Sequence, residues 1–346
     1  MPSAVVSRAI DRLLDGHDLG RAGAAEVLNL VMSGEAGEIQ TAGFLIALRA
    51  KGETAEELAG LVEVLRAHLV PVTGPPGPFV DTCGTGGGIS TFNISTAAAF
   101  VAAGAGVAVA KHGNRSNTSK SGSADVLEAL GARIDLSPEA VALCLAETGV
   151  GFMFAPSHHP AFAHVVPVRR ALAVRTVFNV LGPMANPAGA THQLIGVADR
   201  SVMERMATAL ALSGTHRALV VRGRDGMDEL SAATISDAYE VDSGQVRYLE
   251  IDPAEFGFAA GSVEVLAGGE PADNARQIRE VLAGASGPAH DVVVLNAGAA
   301  IWISGAAATL ADGVARAARS ITSGAAVEHL ASFCAATQRL AFRAVR

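Results

Sequence analysis

Two stretches of the sequence gather the residue types that handle phosphate. The first is Asp81-Thr-Cys-Gly84-Thr-Gly-Gly-Gly88, running on through Ile-Ser-Thr-Phe-Asn-Ile-Ser to Thr96. Successive glycines free the backbone to present N–H groups to an anion, and a helix that follows adds its positive end. Two familiar phosphate motifs fail by counting. GxGxxG read from Gly84 meets Ile89 at its sixth position, and no lysine follows the glycines as a P-loop demands. The plain alternative is a tight turn packing a helix on a strand. Against it, Ser90, Thr91, Asn93, Ser95 and Thr96 place five hydroxyl or amide side chains in seven residues, more than one helix cap needs. The second stretch, Lys111-His-Gly-Asn-Arg115-Ser-Asn-Thr-Ser-Lys120-Ser-Gly-Ser123, holds two lysines, an arginine, a histidine and five hydroxyls in thirteen residues. It follows an apolar run that reads as a strand, so it falls at the carboxyl edge of a sheet, where open α/β folds take ligands.

The elements that must hold these stretches follow from periodicity. Apolar residues recur at helical spacing in Ile10, Leu13 and Leu14, in Val27, Leu28, Val31 and Met32, and in Phe44, Leu45 and Leu48. A fourth helix starts at Thr54-x-x-Glu57, a reciprocal cap, and stops before Pro71. Thr73-Gly-Pro-Pro-Gly-Pro78 is the strongest breaker run in the chain. Beyond it short apolar runs alternate with helices. Strands are expected at 79–83, 106–110, 151–154 and 218–221, and helices at 95–103, at 124–130 and after Ser137-Pro138. That alternation argues for a mostly parallel α/β sheet. A hairpin across Asp242-Ser-Gly244 is expected within 237–252. The organisation is thus a small helical domain, 1–72, and a large α/β domain, 73–346, with a hinge near 73–78.

Composition narrows the partners. Lys plus Arg number 26 against 34 for Asp plus Glu, a net charge of −8 without a basic block, so nucleic acid is not expected as a partner. Cys83, Cys144 and Cys334 are odd in number and lack CxxC spacing, the pattern of thiols in a reducing compartment. Mean hydropathy is high at +0.34, and Val292 to Ala311 is uncharged over twenty residues. Asn296, Ser304, Thr309 and the Ala/Gly content favour a buried helix there over a membrane span. Arg8, Asp11 and Arg12 interrupt the first apolar stretch, so a signal-peptide core is not expected and the cytoplasm is the expected location. Glycine, 38 of 346 residues, exceeds the usual ~7%, which points to backbone approached closely.

Taken in order, the glycine turn with Asn93-Ile-Ser-Thr96, Lys111-His-Gly-Asn114, Lys120-Ser-Gly-Ser-Ala-Asp125, Pro167-Val-Arg169, Asn179-Val-Leu-Gly-Pro183 with Asn186-Pro187, and Gly226-Met-Asp-Glu229 resemble the anthranilate phosphoribosyltransferase family. The resemblance spans essentially the whole chain. It implies a nucleoside-phosphorylase-like fold, in which residues near 170–190 join the small domain, and a homodimer formed through the small domains. The implied reaction moves 5-phosphoribosyl from phosphoribosyl pyrophosphate to the amine of anthranilate, a step of tryptophan biosynthesis.

The resemblance also implies roles. Gly84, Thr85, Gly86, Gly87, Thr91, Asn93, Ser95, Thr96 and Lys111, with Ser119, Ser121 and Ser123, would take the donor. Ser95, Asp228 and Glu229 would hold Mg²⁺, which usually binds through few carboxylates plus substrate phosphates. Arg169 would grip the acceptor carboxylate, since a guanidinium offers two N–H groups where lysine offers a point charge. His112, Asn114, His159, Gly182 and Pro183 would line the acceptor side. Gly88 stands where the resemblance has an aspartate, and the approach to Asn93 is one residue shorter. An altered magnesium dependence, with less inhibition at high magnesium, is the expectation. A nucleoside phosphorylase, a nucleic-acid-binding relative of the same fold and an enzyme for a substituted anthranilate stay open as alternatives at this point.

Overall fold

The computed structural model describes residues 2–116, 119–259 and 261–343. Four helices open the chain, α1 (Ala4–Leu14), α2 (Gly20–Met32), α3 (Glu38–Lys51) and α4 (Ala55–Ala67). At the start of α4 the Thr54 hydroxyl accepts the Glu57 N–H at 3.2 Å while Glu57 accepts the Thr54 N–H at 2.8 Å, the reciprocal cap that the sequence predicts. Glu57 is fully buried and does more. Its other oxygen accepts the Leu19 N–H at 2.8 Å, while Lys51 donates at 2.8 Å to the oxygen that takes the Thr54 N–H. One carboxylate therefore ties the start of α2, the end of α3 and the start of α4.

The chain then enters the sheet through β1 (Val80–Gly84), α5 (Ile94–Gly104), β2 (Val109–Gly113), α6 (Ser123–Ala129), α7 (Pro138–Thr148) and β3 (Val150–Phe154). It returns to the helical layer as α8 (Ala155–His158), α9 (Val166–Leu172) and α10 (Phe178–Met184). Val168, Phe178 and Leu181 of these helices share a core with Phe44, Leu45 and Leu65. The remaining elements are β4 (His192–Gly196), α11 (Met203–Leu212), β5 (Arg217–Gly223), β6 (Ser236–Asp242), β7 (Gln245–Ile251), α12 (Pro271–Leu282), α13 (Pro288–Ile303), α14 (Leu310–Thr322) and α15 (Ala325–Arg343). The seven strands run in the order β3-β2-β1-β4-β5-β6-β7. The first five are parallel, and β6 and β7 add antiparallel to that edge. Ser243 and Gly244 both have positive φ, 50° and 87°, as a two-residue hairpin turn requires.

This order fixes where a ligand can go. From β1 the chain crosses towards β2, and from β4 it crosses towards β5 on the other side. β1 and β4 are neighbours, so their carboxyl ends bound the crevice at which the sheet changes direction. The glycine turn begins at that end of β1.

Three expectations are corrected. Strand β4 gave no signal because all five of its residues are buried, so it lacks an in–out alternation, and its first two, His192 and Gln193, are polar. Strand β2 begins at Val109, since Gly106 at φ 90° belongs to the turn that ends α5. The uncharged stretch 292–311 is not one helix. Val292 to Ile303 are buried within α13, and a turn with Gly305 at φ 81° separates them from α14. Among the described residues no helix is long and apolar enough to cross a membrane.

Helices α13 and α14 pack through glycine. A Cβ on Gly298 would lie 2.7 Å from the Val314 backbone, and one on Gly313 would overlap the Gly298 carbonyl. Gly298→Val should therefore lower stability by about 1–3 kcal/mol, the usual cost of forcing extra atoms into a packed core. A shift of the urea midpoint to lower concentration, with the m-value kept, is the expected reading.

Candidate functional site

The carboxyl ends of β1 and β2 open into a cleft of about 690 Å³ whose walls carry both phosphate-type stretches, with Arg175, Asn179, Asp228 and Glu229. Its floor is set by a close backbone contact. The segment after β5 folds back so that a Cβ on Gly196 would overlap the Asp228 carbonyl. Gly84, opposite Gly196 in the β1–β4 register, leaves room for the Asp228 carboxylate, which a Cβ at 84 would meet at 3.2 Å. A Cβ on Gly88 would meet the same carboxylate at 2.7 Å. Three glycines thus cradle one aspartate.

The two acids sit in an unfavourable medium. Burial raises the Asp228 carboxyl above its ordinary value. Burial, then the neighbouring Asp228 charge, push Glu229 up to about 8, opposed by Lys111 and the Ser95 N–H. That N–H lies in the first turn of α5, whose positive end faces the acids. The donors present are two carboxylates and the Ser95 hydroxyl, and among the described residues no cluster of three or more His, Cys, Asp or Glu exists. This set fits Mg²⁺, a hard ion that takes few protein carboxylates and completes its shell with phosphates and water.

Lys111 is buried, and its ammonium donates to the Thr82 carbonyl and, at 3.2 Å, to Ser95 Oγ. Among the described residues no carboxylate lies within ion-pair distance of it. Burial lowers its pKa, opposed by the charges of Asp81, Cys83 and Glu229. Asn93 joins the two stretches. Its amide donates to the Ser121 carbonyl at 3.1 Å, and its oxygen accepts from Ser121 Oγ at 3.2 Å and from Asn274 of α12 at 2.9 Å. Ser119 and Ser123 also line the cleft, with hydroxyls that donate to the Ser121 and Asn114 carbonyls. Gly84, Thr85, Gly86, Gly87, Thr91 and Asn114 are on the wall. Thr96 is not. It is buried on the core side of α5, which a linear reading of the hydroxyl-rich run does not distinguish. Asn117 and Thr118 lie outside the described residues.

The acceptor-side residues form a second layer. Of them His112 and Asn114 reach the cleft wall. His112 Nε2 lies 3.1 Å from His159 Nε2. Burial, then the other histidines, lower His112 well below its ordinary value, and burial brings His159 to about 4. Two neutral rings can share the one hydrogen between them, and two cations cannot. His158 instead meets the Val70 carbonyl at 3.1 Å, a contact to the segment joining the domains. Arg169 stacks on the Phe178 ring at 5.6 Å and donates to Asn179 Oδ1 at 3.3 Å. Its Nε has no protein partner. Pro183 sits inside α10, and its carbonyl accepts from Gln193 at 2.8 Å; Gly182 precedes it.

Four contributors received no role in the sequence reading, although Asp81 and Asn186 fall within its motifs. Asn274 comes from a helix 181 residues away. Arg175 donates to the Gly86 carbonyl at 3.1 Å. Asp81, fully buried, accepts the His112 N–H at 3.0 Å and the Asn186 amide at 2.8 Å. Asn186 also donates to the Ala110 carbonyl at 2.8 Å. The Asp81–Asn186 pair therefore braces β1, β2 and the segment leaving α10. The available signal was an aspartate and an asparagine inside apolar runs, since buried polar groups must be paired.

Residues 7–69 match the helical bundle domain of a glycosyl transferase family, and residues 76–327 match that family's a/b domain. The fold is that of this class. An anthranilate phosphoribosyltransferase from Rubrobacter xylanophilus is 49% identical over 341 residues, covering 98% of this chain and 99% of that one. The crystal structure of the anthranilate phosphoribosyltransferase of Thermus thermophilus is 41% identical, covers 95% of this chain and 99% of its own, and superposes with a TM-score of 0.90. The Saccharomyces cerevisiae enzyme, solved in complex with PRPP and Mg, is 28% identical, with 98% and 99% covered and a TM-score of 0.89. The chain belongs to the anthranilate phosphoribosyltransferase family.

The Asp81 brace is open to test. Burial raises its carboxyl from 3.8 to about 6, against the opposing pull of Lys111 and the Asn186 and His112 donors. Both oxygens face N–H donors, so protonation removes one bond, and Asp81→Asn does the same at every pH. Leaving a buried donor unpaired costs about 1–3 kcal/mol, so turnover should fall by about 5- to 150-fold if that cost falls on the reacting geometry. Wild-type turnover should decline as pH drops through about 6, and the Asp81→Asn profile should lack that step. Stability should move the other way. The folded pKa lies above the ordinary one, so wild type loses stability relative to the variant as pH rises from about 4 to about 6. Parallel Tm and rate profiles check both.

Proposed function

We infer that this chain transfers the 5-phosphoribosyl group of phosphoribosyl pyrophosphate to the amine of anthranilate, giving N-(5-phosphoribosyl)anthranilate and pyrophosphate in tryptophan biosynthesis, in the cytoplasm. The observation that carries the reading is the cleft in which the anion turn, the start of α5, Lys111 and the Asp228–Glu229 pair converge. The aniline nitrogen is already a neutral nucleophile, so the chain needs no strong base. Its task is to hold two substrates in line and stabilise the charge gathering on pyrophosphate. Amides of Gly84 to Gly87, Thr85, Thr91, Asn93, Ser95 and Lys111 would hold the donor, with Ser119, Ser121 and Ser123 closing its far side. Thr96 would act from the core, by packing α5. Asp228, Glu229 and Ser95 would hold Mg²⁺, whose contribution is to neutralise phosphate charge. Arg169 would grip the anthranilate carboxylate from behind Asn179, with His112, Asn114, His159, Gly182 and Pro183 shaping the ring's path.

On this reading residues 1–72, with part of 170–190, move as a small domain against 73–346. The altered magnesium dependence remains part of the proposal, with a physical qualification. An aspartate at position 88 would press on Asp228, so Gly88→Asp shifts the acid it sits beside as well as adding one.

The decisive measurement is the loss of anthranilate fluorescence on adding donor and Mg²⁺. No change at millimolar substrates would overturn the assignment, and faster turnover of a substituted anthranilate would redirect it. Arg169→Ala should raise KM for anthranilate by about tenfold or more, the usual consequence of losing a charge-assisted pair, and leave the donor's within about twofold.

A homodimer through the small domains is the second part of the proposal. Leu14 of α1 and Ile39 of α3 are 68% and 89% exposed, and Ile46 of α3 is exposed too, apolar surface of the kind that interfaces cover. Ile39→Asp should shift the sedimentation of the protein from dimer to monomer at micromolar concentration. A wild type that sediments as a monomer would refute the dimer.

A further inference from the structure

One cation on the cleft wall has no place in the assignment above. Arg175 follows α9 in the helical layer, within the stretch between Val168 and Val177, which both belong to that layer's core. It is carried by that layer and reaches across to the sheet. Its backbone is fixed from two sides. The Arg175 carbonyl accepts from Arg49 Nη1 at 2.5 Å, and the next residue's N–H, that of Thr176, donates to Asn179 Oδ1 at 3.0 Å. From there the guanidinium extends onto the anion turn. Its Nη1 donates to the Gly86 carbonyl at 3.1 Å, and a Cβ on Gly87 would overlap the same nitrogen. Gly86 and Gly87 have φ of 61° and 88°, so the turn can bring its backbone this close only with glycine at these positions.

The charge balance around this arginine is incomplete. Among the described residues no carboxylate lies within ion-pair distance of Arg175 or of Arg169, and the Arg169 pKa is lowered by burial and then by the Arg175 charge. The remaining cleft arginine, Arg115, is already matched by Asp125 at 2.8 Å and Glu128 at 2.6 Å. A guanidinium held against a neutral carbonyl gains less than one that forks onto a phosphate. Arg169, second-layer and stacked on Phe178, is aimed at the acceptor side. Arg175 stands on the turn that would hold the donor.

We propose that Arg175 is the small-domain ligand of the donor's pyrophosphate group, exchanging the Gly86 carbonyl for phosphate oxygens when the donor occupies the turn. The group recognised is a diphosphate, which would replace the direct Arg175–Gly86 link between the helical layer and the sheet. No bond is made or broken in this step. The proposal rests on the transferase reading, and the experiment separates the two.

Inorganic pyrophosphate with Mg²⁺ is titrated calorimetrically into wild type and into Arg175→Ala, Arg175→Lys and Arg175→Gln, and donor and anthranilate KM are measured for each. Loss of the cation should weaken pyrophosphate binding and raise the donor KM by about tenfold or more, with the anthranilate KM within about twofold. Lysine restores part of the affinity because it keeps the charge without the fork. Glutamine does not, although its amide can still donate to the Gly86 carbonyl. Recovery by glutamine equal to that by lysine would show that Arg175 only pins the turn, and would overturn the proposal. So would unchanged pyrophosphate affinity and donor KM in Arg175→Ala, with the transferase reading left intact by an active wild type. A wild type that neither binds pyrophosphate nor consumes anthranilate would remove both.

Discussion

The contact of the Asp228 backbone with Gly196 is the constraint on which the rest of the cleft depends. A side chain at position 196 has nowhere to go, because the Asp228 carbonyl occupies the place of its Cβ. Only glycine at 196, with glycine at 84 and 88 around the carboxylate, lets the segment after β5 lie over the carboxyl ends of β1 and β4. From that placement Glu229 comes to face the first turn of α5 and the buried ammonium of Lys111. The acids are costly as ions there, since burial raises both. A cation held by these acids would relieve a cost that folding has already incurred, and would supply charge to neutralise phosphate.

A second buried carboxylate performs the matching task beneath the other stretch. Asp81 holds the backbone of His112 and, through Asn186, the segment that leaves α10. Lys111 and His112 are successive residues on β2, so their side chains leave opposite faces of the sheet. One turns to Thr82 and Ser95, the other to His159. Fixing that one peptide therefore fixes the Lys111–Ser95 side and the His112–His159 side together. Catalysis by alignment has little tolerance for displacement, which accounts for a buried charge at a position where an apolar residue would fold more easily.

What the sequence disclosed and what it withheld divide along physical lines. The capping box at Thr54 and Glu57, the hairpin turn at Ser243-Gly244 and the alternation of strand and helix are local, set by neighbours a few residues apart, and each is where periodicity places it. Both phosphate-type stretches were visible because their residue types are dense in the chain, and the structure brings them to one cleft. Strand β4 was silent because burial on both faces erases alternation. Arg175, Asp81, Asn186 and Asn274 were silent for a different reason. Each acts through a partner between 31 and 181 residues distant in the chain: Gly86 for Arg175, His112 and Asn186 for Asp81, and Asn93 for Asn274, and a single polar residue carries no pattern until its partner is placed. The reading of Gly88 as a missing acid also changed. Its neighbour in space is Asp228, so the glycine is a condition for that acid's position.

A chain of net charge −8 that handles a polyanion must concentrate its positive potential, and the cleft shows how. Several surface arginines are paired with carboxylates, as Arg133 is with Asp135, Arg224 with Asp237 and Arg115 with Asp125 and Glu128. Such exposed pairs add little to stability, but they cancel fields that would otherwise compete with the cleft. Lys111 and Arg175 are left without such partners among the described residues, one on the sheet and one in the helical layer, on either side of backbone amides that cannot be neutralised at all. At ordinary ionic strength exposed charges more than about 8–10 Å away are screened, so the anion responds to this local set and not to the total. The net negative charge then does not oppose binding of a small phosphorylated molecule.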